Sequence, residues 1–110
     1  MGDVPHQIKT DNWLFHVLAR SDDPAIKCLN IRNLVSNLKT TMKLAENHDY
    51  DAVLNRATIG ANRAWYEYSG LRNPGRAVQT ANTVLEEVLV IVYDKRFATP
   101  ETDSFKGRGV

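Results

Sequence analysis

DDPAIKCLNIRNLVSNLKTTMKLAEN, residues 22–47, decides the fold. Asp23 precedes Pro24. An aspartate in that place accepts hydrogen bonds from the free N–H groups of a helix start, and proline suits the first helical position. Beyond it, Ile31, Leu34, Val35, Leu38, Met42 and Ala45 recur at the spacing of one helical stripe. The spacing predicts a helix from Pro24 to about Asn47. From Pro24 to Ala45 this stretch holds no acid, yet it carries Lys27, Arg32, Lys39 and Lys43.

The same logic extends in both directions. After a break at His48, Asp49 is expected to cap a second long helix over 50–69. Its inward stripe would include Val53, Leu54, Ala57, Ala61, Ala64 and Tyr68. Gly60 lies beside that stripe and costs about 1 kcal/mol against alanine in a helix, so close approach of another backbone is its expected reason. Gly70 is the expected C-terminal cap. Asn73-Pro74 then repeats the cap-plus-proline start, opening a third long helix to about Arg96. Its apolar positions, from Ala77 to Val92, cover half the circumference or more. Such a helix is either central in its own chain or shared with a second copy. Upstream, Asp11 is expected to cap a short helix carrying Trp13, Phe15 and Leu18.

The fold class is therefore all-α. The expectation is a small bundle of three long helices or fewer plus a short N-terminal helix, with flexible arms. Residues 1–10 form the N-terminal arm, 11–97 the bundle and 98–110 the C-terminal tail.

Composition limits the function. The chain has 110 residues, one cysteine and a formal charge of +1. One cysteine allows no intrachain disulfide, which favours a reducing, cytoplasmic setting. No stretch has the length of a membrane span or the apolar core of a secretory signal, so no membrane is expected. His6, His16 and His48 are scattered, and zinc needs several converging ligands. The acid-rich stretch at Glu46, His48, Asp49 and Asp51 fits a capping loop better than a metal site. Cys28, beside an apolar face, reads as a structural thiol. Glu86 and Glu87 find no acidic partners on the acid-free helix. No cofactor and no metal are expected.

Two surfaces remain. The broad third long helix points to self-association through Leu89, Ile91 and Val92. The leading expectation is thus a non-enzymatic interaction protein that pairs with itself and with a protein partner. The alternative is an anion, nucleotide or nucleic-acid binder using Arg32, Lys39, Lys43, Arg56, Arg63, Arg72 and Arg76. On that alternative Arg72 and Arg76 flank a helix start, and Arg63 is removable without loss of stability. Arg63 also stands four residues before Glu67, where the two can simply pair. A metal-dependent enzyme using Glu46, Asp49, Asp51 or Glu86 ranks a distant third.

Overall fold

A computed structural model of the protein describes residues 13–94. They form four helices and no strand: α1 (13–18), α2 (Pro24–Leu44), α3 (Asp51–Ser69) and α4 (Pro74–Val92). The all-α bundle of three long helices and one short one is as the periodicity dictates. Both arms and Asp11 lie outside the described residues, and α4 ends at Val92 with Tyr93 as its cap, short of the expected end at Arg96.

Two of the three N-terminal caps expected of the long helices form. The Asp23 carboxylate accepts from the backbone N–H groups of Ala25 and Ile26, at 2.9 and 3.2 Å. The Asn73 side chain accepts from the N–H of Arg76 at 3.1 Å. The Asp49 cap does not form: α3 begins after Tyr50, with no side-chain cap. Glu46 turns left-handed (φ 53°), and the Asn47 side chain takes the N–H of Asp49 at 2.8 Å. These local bonds carry the chain one residue past Asp49 before the helix starts. Gly70 is the C-terminal cap of α3, as expected. Its φ is −86°, and the left-handed residue of the α3–α4 turn is Arg72 (φ 53°).

α3 packs most extensively against α4, and both pack on α2. The stripe Ile31, Leu34, Val35, Leu38 and Met42 fills the core from α2. Each such side chain contributes about 1.5–3 kcal/mol by leaving water. α4 supplies Ala77, Ala81, Val84, Leu85, Val88, Ile91 and Val92. Its broad apolar face is accounted for by contact with two helices of its own chain. Ile91 and Val92 lie inside this core, Leu89 is half-buried against it, and Val90 is exposed. The first two, named above for self-association, thus present no surface to a partner.

α1 is fastened by polar groups. Lys27 belongs to the basic run in sequence, yet it is buried. Its ammonium donates to the carbonyl of Ala19 at 2.9 Å and to the Asn82 side chain at 2.8 Å. A cation at the carbonyl end of a helix also meets the negative end of its dipole. His16 is the other fastening: 2% exposed, edge-on to Tyr93 with centroids 5.2 Å apart. Its Nε2 has no hydrogen-bond partner. Burial, helped by the charge of Arg20, lowers its pKa to about 4.

Two outcomes follow from these contacts. A Cβ on Gly60 would stand 2.5 Å from Val84 Cγ2, a stiff branched side chain on the facing helix. Gly60→Ala is expected to destabilise the fold by roughly 1–3 kcal/mol of overpacking, against about 1 kcal/mol of helix propensity regained. Urea melts should show the loss, and Gly60→Ala with Val84→Ala should recover part of it. For His16 the folded pKa lies below the unfolded one, so the unfolded chain binds the extra proton first. Its contribution is complete above pH 6.5 and is lost as the pH falls toward about 4. The shift corresponds to about 3 kcal/mol at most. His16→Phe should flatten the stability profile across that window.

Candidate anion-binding groove

The seam between α2 and α3 is concave on the side away from α4. A groove of about 590 Å³ lies there, lined by Arg32, Asn33, Ser36 and Lys39 of α2 and by Thr58 and Asn62 of α3, over Val35 and Ala61. That volume falls within the range of small-molecule sites. No acid lines it. The polar lining arises because residues flanking each buried stripe sit at the rim where two helices diverge. The absence of acid follows from the acid-free run of α2.

Arg32 is held in place. Its guanidinium carbon sits 5.6 Å over the Trp65 ring, which in turn lies 5.8 Å from Tyr68. Such stacking restrains a cation while leaving its donors in water. Lys39 is exposed farther along α2. Neither Arg32 nor Lys39 has an ion-pair partner among the described residues. Thr40 and Thr58 donate their hydroxyl protons to their own helices, to Ser36 and Leu54 carbonyls at 3.2 and 2.8 Å. Donors for an anion are therefore Arg32, Lys39 and the amides of Asn33 and Asn62.

The structure divides the other basic residues. Lys43 lies on the same α2 rim as Arg32 and Lys39, in a second concavity nearer the α2–α3 turn. Arg56 is exposed on α3 and lines neither concavity. Arg72 is exposed in the α3–α4 turn. Arg63 and Arg76 are engaged by Glu67, whose carboxylate is buried. Arg76 Nε is 2.8 Å and Arg63 Nε 3.2 Å from its Oε2, and the Thr80 hydroxyl donates to Oε1 at 2.5 Å. The Thr80 bond, then the Arg63 bond and the charges of both arginines, hold the Glu67 carboxyl below its usual range against the opposing effect of burial. The pairing of Arg63 with Glu67 forms, so Arg63 is part of the fold. Its replacement by alanine removes one of three partners of a buried carboxylate, Arg76 and Thr80 remaining. Of the pair expected at the α4 start, Arg76 turns to Glu67, while Arg72 is exposed.

Other chemistry is sparse. Cys28 is buried, and burial pushes its thiol pKa up, away from reactive thiolate. His48 pairs with Asp51 at 3.2 Å in the exposed turn. Among the described residues, no group of three His, Cys, Asp or Glu side chains is placed to hold a metal, and no helix is long and apolar enough to cross a membrane.

The chain matches no family model, no curated protein and no solved structure. Geometry must carry the reading. Sequence periodicity missed the α3 rim of Thr58 and Asn62 and the shelf under Arg32. Their signal was a polar flank at spacings of three and four beside Ala57 and Ala61, hidden because each residue is unremarkable singly.

Proposed function

We propose that this chain is a binding protein that holds a small phosphorylated ligand, of nucleotide size, in the α2–α3 groove. One observation carries the reading: a concave site with two cations and, among the described residues, neither an ion-pair partner for them nor an acid in its lining, in a chain whose total charge is nearly balanced. Arg32 supplies a planar fork suited to phosphate oxygens, and Lys39 supplies a point charge. Asn33 and Asn62 can donate to the same ligand or to its sugar and base. Calorimetric titration with AMP, ADP, ATP and inorganic phosphate tests this. Binding should be saturable and weaken with salt. Arg32→Ala should reduce affinity about tenfold or more, from the loss of a charge-assisted hydrogen bond. Arg56→Ala, outside the groove, should leave it unchanged. Absent binding, or equal losses in both variants, would remove the proposal.

Self-association is the second reading, and it moves to a different face. Ile59, Tyr66 and Leu71 are all more than half exposed and surround the Glu67 cluster on the α3–α4 seam. Large exposed apolar side chains grouped with arginine are typical of protein interfaces. Light scattering after size-exclusion chromatography should then report a multimer that Ile59→Ser with Leu71→Ser converts to monomer. A monomer at high concentration would end this reading.

A further inference from the structure

The groove does not end at Lys39. Lys39 and Thr40 also line the second concavity, about 530 Å³, which continues past Lys43 to the α2–α3 turn. Together they follow one face of α2, along a rim that runs from Leu29 to Lys43. At 1.5 Å per residue that rim is roughly 21 Å long. A single nucleotide fills only part of it.

The two rims differ in chemistry. Cations stand on α2 only: Arg32, Lys39 and Lys43. The α3 rim carries Asn55, Thr58 and Asn62 and no cation. Between them the floor is apolar, with Val35, Ala61, Met42 and Leu54. A single nucleic-acid strand has the same asymmetry, with phosphates along one edge and bases along the other. Amides offer a donor and an acceptor to base edges, an apolar floor suits base faces, and a restrained guanidinium is itself a stacking plane. An extended acidic peptide directs successive side chains to opposite sides, and the α3 rim has no cation for the second row. Lys39 and Lys43 are one turn apart, ~6 Å along the axis, comparable with one repeat of an extended strand. Glu46 and Asp51 close the turn end with negative charge, which sets a limit to the phosphate track.

We infer that the α2–α3 seam binds a short single-stranded oligonucleotide, with its phosphates along Arg32, Lys39 and Lys43 and its bases toward Asn55 and Asn62. This rests on the phosphate-binding reading of the groove and extends it from a small ligand to a chain.

The test is calorimetry with deoxyadenylates of one, two, four and eight nucleotides, with an inorganic polyphosphate of matched length and an octaglutamate peptide beside them. Affinity should rise steeply from one to four nucleotides and then level off. With three cations engaged, the log–log salt slope for the tetranucleotide should be near −2, at about −0.7 per phosphate contact. Lys43→Ala, at an exposed position, should keep its melting temperature and its mononucleotide affinity but lose the gain from chain length several-fold. Arg32→Ala should weaken all lengths. If the mononucleotide binds as tightly as the tetranucleotide, the chain reading fails while the phosphate groove stands. If polyphosphate or octaglutamate binds as well as the tetranucleotide, nucleic acid is not the occupant. If nothing binds, both readings fall.

Discussion

The close approach of α3 and α4 at Gly60 is the constraint on which the rest of the molecule depends. Without a side chain at Gly60, Val84 fits against the α3 backbone. Ala57, Ala61 and Ala64 on one helix and Ala77 and Ala81 on the other are buried, and these small side chains permit helices to approach closely. α4 packs against both α2 and α3. Its broad apolar face is consumed within one chain, with Ile91 and Val92 in the core. The seam of α2 with α3 on the opposite side stays open, and the groove occupies it.

The same geometry sorts the cations. Lys27 and Arg76 point toward places where elements meet, and each finds a partner on another element: the end of α1 and Asn82 for Lys27, Glu67 for Arg76. Arg63 joins Glu67 from the same helix. These three hold the fold, since a buried ammonium or carboxylate is tolerable only when hydrogen-bonded. Arg32, Lys39 and Lys43 stand on the rim of an open seam, with no carboxylate on the facing α3 rim until the turn is reached. Basic residues on three helices thus fall into two groups, those hydrogen-bonded within the fold and those exposed along the α2–α3 seam.

Much of the fold was legible because helices are specified locally. A cap contacts N–H groups two or three residues on, and a stripe repeats within four. Asp23, Asn73 and the α2 stripe act within that range, and each did as expected. Asp49 shows the limit even there: Asn47 offered the backbone a competing bond. The candidate site was half legible. The acid-free run placed Arg32, Lys39 and Lys43 on one helix, but the polar flank of Thr58 and Asn62 beside the α3 stripe does not by itself say which helix it faces.

The sequence by itself determined the helices, their order, the buried stripes and the supply of charge, since these depend on residues a turn or less apart. Only the tertiary structure decided which charges are neutralised, how the three long helices pack on one another and which residues line the groove between α2 and α3. Those outcomes depend on residues far apart in the chain, such as Glu67 with Arg76 and Thr80, or Lys27 with Asn82. A charge pairs with what packing brings within hydrogen-bond reach, and packing is set by side-chain volume at the α3–α4 contact, where a single hydrogen in place of a methyl group on Gly60 admits the facing helix.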